Sequence, residues 1–255
     1  MSSSTSGITG PFTNLYDVFV DWEGRLEREM PGLEARLAEV EARRVLDVGC
    51  GTGRHVQALR AAGFDALGAD CSDDMLAQAV ALLGGDEHLY NWRLGDDPPE
   101  RLVERGPFDA ITALGSTWPQ ILDEEDARHA THSFQQLLRP GGLVVLGLKA
   151  FAVRRGRDPY LPLLRRQHEG RPLWFVRFLD FDDEDEDIAG FHMVVVGGAG
   201  ECLIHTSSRV RAWGPEELVA WFRSEGFAAV SMSGRMNDPG SAVTGEDVFL
   251  SALRP

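Results

Sequence analysis

The chain lacks the features that would place it in a membrane, in a disulfide scaffold or on a polyanion. Its longest apolar stretch, Leu143 to Val153, is interrupted by Lys149. A bilayer span needs about 18 uninterrupted apolar residues. The start, Met1-Ser2-Ser3-Ser4-Thr5-Ser6-Gly7, has neither the basic beginning nor the apolar centre of a secretory signal. Cysteine is scarce and odd in number. Cys50, Cys71 and Cys202 have no metal-ligand spacing, so no disulfide framework and no metal site is expected, and a reducing cytoplasm is the expected location. Basic side chains are in deficit: 25 Lys and Arg against 40 Asp and Glu give a net charge of −15. Phosphate contacts need Lys and Arg, so nucleic acid and anionic membrane surfaces are disfavoured as partners.

What is present suits a globular enzyme or binding protein. A chain of 255 residues, 43% hydrophobic, can bury one large core or at most two small ones. Residues 1–11 are rich in Ser, Thr and Gly and are expected to be mobile. Residues 14–43 read as helical, with Pro31 suited to a helix start and Leu33, Leu37 and Val40 at helical spacing. The period then changes. Strands are expected at 44–49, 64–70, 88–94, 108–114 and 143–148, with helices at 54–62, 73–83 and 123–138 between them. Strand alternating with helix predicts a doubly wound, mostly parallel sheet of the α/β class. After Lys149 the pattern breaks. A loop rich in Arg and Pro precedes three strand-like runs, 173–181, 191–196 and 202–213, with no helix between them, so an antiparallel β insertion is expected there. A helix at 215–224 and strands at 228–232 and 247–253 close the chain. The expected organisation is a lid segment at 1–43, a ligand-binding α/β domain at 44–150 and 213–255, and the insertion at 151–212 over the substrate site.

The informative segment is Asp47-Val48-Gly49-Cys50-Gly51-Thr52-Gly53, between the first strand and a helix. Glycines let the main chain turn sharply and approach a ligand closely, and open α/β sheets bind ligands beyond the carboxyl ends of their strands. Asp70 ends the second strand, 21 residues past Gly49, where a carboxylate can take both hydroxyls of a ribose. A dinucleotide fingerprint would require glycine at 54, which is Arg54. A phosphate-cradling Gly-Lys-Ser/Thr loop is also missing. What remains suits a ligand with an ammonium group and a ribose but no pyrophosphate.

Taken in order, Val45-Leu46-Asp47-Val48-Gly49-Cys50-Gly51-Thr52-Gly53, Gly68-Ala69-Asp70, Ser72-x-x-Met75-Leu76, Phe108-Asp109 and Leu138-Arg139-Pro140-Gly141-Gly142 resemble class I S-adenosylmethionine-dependent methyltransferases. The resemblance covers about residues 40–150. It implies a Rossmann-like methyltransferase fold with seven strands, the last antiparallel, which 247–253 would supply. It also implies S-adenosylmethionine as cofactor, S-adenosylhomocysteine as product and no metal. The donor-binding residues it implies are Asp47, Gly49, Cys50, Gly51, Gly53, Asp70, Cys71, Met75, Asp96, Asp97 and Leu114. Among them Asp70 would hold the ribose and Asp96 the adenine amino group, with Asp97 or Leu94 taking over if the register is shifted. Cys50 is expected to pack rather than react.

The stretch Phe108 to Ser116 and the insertion are similar to glycine N-methyltransferase-like and sugar-amine N-methyltransferases. Those often read Cys-Leu-Gly-Asn-Ser where this chain has Ala113-Leu114-Gly115-Ser116. After the fifth strand the glycine enzymes carry an arginine for the substrate carboxylate, and Lys149 stands at the matching position. The expected activity is methylation of a small molecule, at an amine or amino-acid-like acceptor. O-methylation, RNA or protein methylation and a non-catalytic donor-binding role are the alternatives. Trp22, Ser116, Trp118, Lys149 and Arg154 are the expected substrate contacts, and Tyr16, Tyr160 and His192 the candidates for removing the acceptor's proton. Tyr16, Phe19 and Trp22 suit either a lid or a packed helix stripe. Lys149, Arg154, Arg155 and Arg157 suit either anion recognition or a solvated loop. His55 is read as structural, His129 and His132 as an exposed helix face, and the acidic run 182–187 as a solvated hairpin tip. A homo-oligomer is possible in such a chain.

Overall fold

A computed structural model describes residues 10–255; residues 1–9, most of the stretch expected to be mobile, lie outside it. Gly10–Leu15 forms a 3-10 turn leading into helices α1 (Tyr16–Phe19) and α2 (Trp22–Glu39). Asp21 caps α2 by accepting from the Gly24 N–H at 3.3 Å. Pro31 lies inside α2 rather than at its start. The helix continues through it because Met30, Leu33 and Leu37 form one buried stripe against the body, and that burial outweighs the hydrogen bond proline cannot make.

Next come β1 (Arg44–Val48), α3 (Arg54–Ala61), β2 (Asp65–Asp70), α4 (Asp73–Leu83), β3 (Leu89–Asn91), α5 (Glu100–Val103), β4 (Phe108–Ala113), α6 (Glu124–Leu137) and β5 (Leu138–Lys149). Then follow β6 (Leu164–His168), β7 (Arg171–Phe181), β8 (Ile188–Val196), β9 (Cys202–Arg211), α7 (Pro215–Ser224), β10 (Ala228–Ser233) and β11 (Asp247–Leu253). The main sheet has seven strands in the order β10-β11-β5-β4-β1-β2-β3. β1, β2, β3, β4 and β5 pair in parallel, while β11 runs antiparallel to both β5 and β10. The doubly wound expectation and its antiparallel last strand both hold. The strand order reverses between β1 and β4, and this switch point is where such sheets open a ligand crevice.

The insertion is a sheet of four antiparallel strands, β6-β7-β8-β9, rather than three. The extra strand, β6, reads Leu-Arg-Arg-Gln-His. It is a polar edge strand buried on neither face, so it carries no apolar alternation to reveal it. Leu173, Phe175 and Leu179 of β7 face the body of the molecule and are buried.

Candidate active site

The loop after β1 is shaped by its glycines. Gly49 and Gly51 have φ of +69° and +55°, a region that side chains other than glycine's rarely adopt. A Cβ on Gly49 would stand 2.2 Å from Thr117 Oγ1, so any larger residue would collide with the loop after β4. The Gly49 and Cys50 N–H groups both donate to the Ala69 carbonyl, at 2.7 and 3.0 Å, which ties the loop to the end of β2. There Asp70 gathers donors. Its Oδ2 accepts from the Gly51 N–H at 2.8 Å and its Oδ1 from the Ser72 N–H at 2.9 Å. Burial pushes the Asp70 carboxyl above its ordinary value, against these N–H bonds, which favour the anion. A carboxylate oxygen has room for more than one donor, so Asp70 remains able to accept from hydroxyls in the cleft.

That cleft holds about 610 Å³ of empty space. Of the expected donor-binding residues, Gly49, Gly51, Asp70, Cys71, Met75 and Leu114 line it. Asp47 lies beneath the loop, buried, its Oδ1 accepting from Thr112 Oγ1 at 2.6 Å across the β1–β4 pair. Cys50 points into the core under Gly68, and Gly53 caps α3. The structure does not bring the Asp96 and Asp97 side chains to the cleft. Gly95 turns the chain at φ +100°, after which Asp96 pairs with Arg93 at 3.0 Å and Asp97 with His129 at 2.9 Å on the surface. Trp92 and Leu94 form that wall instead. Trp92 is missed by the sequence reading. The Trp92 Nε1–H donates to the Asp96 carbonyl at 3.0 Å, so the turn that carries the acids away also fixes the indole.

A second, larger cavity, with about 1210 Å³ of empty space that runs out into open solvent, adjoins the first, sharing Tyr16, Gly115 and Gln120 with it. Its roof is the insertion: Arg177 of β7, Phe191 of β8, and Ser208 and Val210 of β9. Phe19, Arg25 and Arg28 form a wall, and Ser116, Lys149 and Phe249 belong to the sheet side. Ser116 sits at φ +68°, and its Oγ accepts from the Lys149 N–H at 3.0 Å. Lys149, the chain's single lysine, lines the cavity with its Nζ 2.8 Å from Asp247 Oδ1.

Other expected contacts lie elsewhere. Trp118 is fully buried, packed on Phe222, Trp213 and Phe134 with ring centroids 5.2–6.1 Å apart. The 3-10 turn Trp118–Gln120 sends the indole into the helical layer and leaves Gln120 facing the cavities. Arg154 is absent from the lining; it pairs with Glu246 and donates to the Asp158 and Tyr160 carbonyls. Trp22 donates from Nε1 to Asp17 at 2.8 Å and packs edge-on against His55. Tyr160 packs on Phe178 with its ring tilted, centroids 5.8 Å apart, and His192 stacks on the same ring at 4.7 Å. Phe178 neighbours Arg177 along β7, so it faces the opposite side of the insertion sheet, away from the cavity. Of the three proton-accepting candidates, only Tyr16 stands where the two cavities meet. Among the described residues no group of three or more His, Cys, Asp or Glu is arranged to hold a metal, and no helix is long and apolar enough to cross a membrane.

Tyr16 and Phe19 line the cavities and also pack on Phe12, with centroids 6.4 and 5.7 Å away. Asp17 fastens α1 to the glycine loop, accepting from Thr52 Oγ1 at 2.7 Å and from Arg54 Nε and Nη2 at 2.9 and 2.7 Å. His55, read as structural, is buried with its Nε2 2.9 Å from Glu29 Oε2.

Residues 45–142 match a methyltransferase domain model. The chain is 33% identical to the glycine/sarcosine N-methyltransferase of Parasynechococcus marenigrum (strain WH8102) over 157 residues, 57% of this chain and 55% of that protein. It is 27% identical to the tRNA U34 carboxymethyltransferase of Serratia proteamaculans (strain 568) over 248 residues, 96% of this chain and 70% of that one. The chain thus spans about half the length of the glycine/sarcosine enzyme. In fold it is similar to the sugar N-methyltransferase KedS8 from Streptoalloteichus sp ATCC 53650, with TM-score 0.74 and 20% identity over 100% of this chain and 98% of that one. The stretch that carries the glycine loop and Asp70 thus matches a methyltransferase domain, and the chain as a whole is similar in fold to that sugar N-methyltransferase.

Proposed function

We propose that the chain transfers a methyl group from S-adenosylmethionine to the nitrogen of a small acceptor. The observation that carries this reading is the pair of cavities joined at Tyr16, Gly115 and Gln120. One is bounded by the glycine loop and Asp70, and the other is roofed by the insertion. The first fits the donor. Gly49 provides main chain where a Cβ would collide, Asp70 offers a carboxylate to a ribose, and Trp92, Leu94, Cys71 and Met75 provide a flat, mostly apolar slot for a base. When bound, S-adenosylmethionine supplies a methyl already activated as a sulfonium. The protein's remaining task is alignment.

In this reading Tyr16, which lines both cavities, holds the acceptor. Burial raises its phenol above the ordinary value, with Arg25 opposing, so the hydroxyl stays neutral at physiological pH. A neutral phenol orients an amine by hydrogen bonding and does not act as a strong base. The rings of Tyr16 and Phe19 also tolerate the positive charge that develops on nitrogen. Tyr16→Phe keeps the ring and removes the hydroxyl. It is expected to lower kcat about 10-fold, the value of one lost hydrogen bond, with donor affinity unchanged. Its pH–rate profile should run parallel to that of the wild type, because the titrating group is the acceptor amine. A profile that loses a limb in the variant would make Tyr16 the base.

Incubation with methyl-labelled donor and a panel of small amines tests the function. Label in a small molecule supports it, and donor binding without transfer to any small molecule sinks it. The match to a tRNA-modifying enzyme along most of the chain keeps RNA as a second acceptor. That reading requires RNA binding that weakens steeply with salt, which the net charge of −15 opposes.

A further inference from the structure

β7 breaks its own alternation. Leu173, Phe175 and Leu179 face the body and are buried. The position between the last two, on the same face, is Arg177, which points into the roof of the acceptor cavity. Its guanidinium lies over the Phe19 ring at 5.4 Å, and Nη2 donates to the Pro162 carbonyl at 2.8 Å. Nε is shielded from solvent and has no hydrogen-bond partner. A buried donor left unpaired costs stability, so its persistence calls for a partner that arrives with the ligand.

The surrounding charges point the same way. The acid closest in influence is Glu246, which Arg154 already holds. Arg166 and Arg154 add like charge, and burial together with that repulsion pushes the Arg177 guanidinium below its ordinary value. Arg166 Nε is likewise buried and unpartnered. Elsewhere in the cavity, Arg25 is matched by Glu29 at 3.1 Å and Lys149 by Asp247 at 2.8 Å. Arg177 makes no ion pair among the described residues. Arg28 on the cavity wall also makes no ion pair among the described residues, but it is exposed to water, whereas Arg177 is half-buried. In a chain with net charge −15, an unneutralised, half-buried cation in the cavity roof marks a place for a negative group.

Resting on the reading of this cavity as the acceptor site, we propose that the acceptor is an amine carrying an oxyanion, a carboxylate or a phosphate, and that Arg177 on the insertion binds that oxyanion. Lys149, whose charge Asp247 already balances, contributes less. The fixed Nη2 orients the planar guanidinium, and Nε donates to one oxygen of the anion.

The test uses the protein saturated with S-adenosylhomocysteine and paired probes: glycine against methylamine, β-alanine against ethylamine, and glucosamine 6-phosphate against glucosamine. Calorimetric titration reads the affinity of each. The anionic member of the carboxylate pairs or of the phosphate pair is expected to bind at least 10-fold more tightly, and which pair responds identifies the oxyanion. Arg177→Met should abolish that preference, an expected loss of about 10- to 100-fold for one charge-assisted contact, with S-adenosylhomocysteine affinity unchanged. Arg177→Lys should restore part of it, and Lys149→Ala should cost less than Arg177→Met. If Arg177→Met does not fold, judged by melting temperature, Arg177→Gln takes its place. Neutral amines binding as tightly as their anionic counterparts overturn the proposal, as does an Arg177 variant that keeps the preference. Wild-type protein that binds S-adenosylhomocysteine but none of the anionic probes also overturns it. Protein that fails to bind S-adenosylhomocysteine overturns the donor reading itself, and this proposal with it.

Discussion

Asp70→Ala is expected to weaken S-adenosylhomocysteine binding by about 100-fold or more while leaving a folded protein. Each hydrogen bond from a ligand hydroxyl to an ionised carboxylate contributes about 1.5–3 kcal/mol, and about 2.7 kcal/mol is a factor of 100 in affinity. The substitution also releases the Gly51 and Ser72 N–H groups that Asp70 now gathers, so the glycine loop loses its anchor. Asp70→Asn should be nearly as damaging, because its NH2 group would face one of those N–H donors. Isothermal titration measures the loss and circular dichroism checks the fold. Affinity within a factor of three of the wild type would remove Asp70 from the site.

The same residue sets a pH dependence of definite sign. Burial raises the folded-state value of Asp70 above 3.8. An acid raised in this way favours the fold most below its unfolded value, and that contribution is lost as pH rises through the folded one. In the unliganded protein the ionised carboxylate is therefore a small burden at neutral pH, which offsets part of what Asp70→Ala loses with the Gly51 and Ser72 hydrogen bonds. The melting temperature there should fall less than the loss of two hydrogen bonds alone would give. Donor binding has the opposite sign. It needs the anion as acceptor, so affinity should fall as pH drops through the raised folded value, starting at a higher pH than for an exposed aspartate.

Trp118→Ala is the second large effect, and it is expected in stability rather than catalysis. The indole is 0% exposed, in contact with Phe222, Trp213 and Phe134. Truncating such a side chain costs about 3–5 kcal/mol, which in a chain of this size lowers the melting temperature by roughly 10 °C. Trp118→Phe should cost far less. It keeps an aromatic ring and deletes an indole N–H that has no hydrogen-bond partner. In both variants the KM for the acceptor should stay near the wild-type value. A raised KM with an unchanged melting temperature would return Trp118 to the substrate contacts.

How far the sequence could be read depended on what decided each position. The glycine loop and Asp70 were legible because two independent signals met there: a change from helical to strand period, and glycines where the main chain must take a positive φ. Trp118 was not legible. Whether it faces ligand or core depends on the sense of one 3-10 turn after β4, and nothing in the run Ser116-Thr117-Trp118-Pro119-Gln120 encodes that. Asp96 and Asp97 read as ligand contacts because they follow β3, but Gly95 turns the chain before them and leaves Trp92 and Leu94 at the cleft. β6 was hidden by its polar composition. Arg177 could have been found, since a charged residue in phase with Leu173, Phe175 and Leu179 breaks an apolar face. Its significance depended on knowing that the face covers a cavity, which only the packing of the insertion over the main sheet reveals.

Every role assigned above depends on where the donor sits, and a crystal structure of the protein grown with S-adenosylhomocysteine would locate it. Density is expected between the Gly49–Gly51 main chain and Asp70, with the ribose hydroxyls on the Asp70 carboxylate, the base against Trp92 and Leu94, and the sulfur turned toward Tyr16. Density for the nucleoside anywhere else, or an empty cleft at saturating ligand, would contradict that placement.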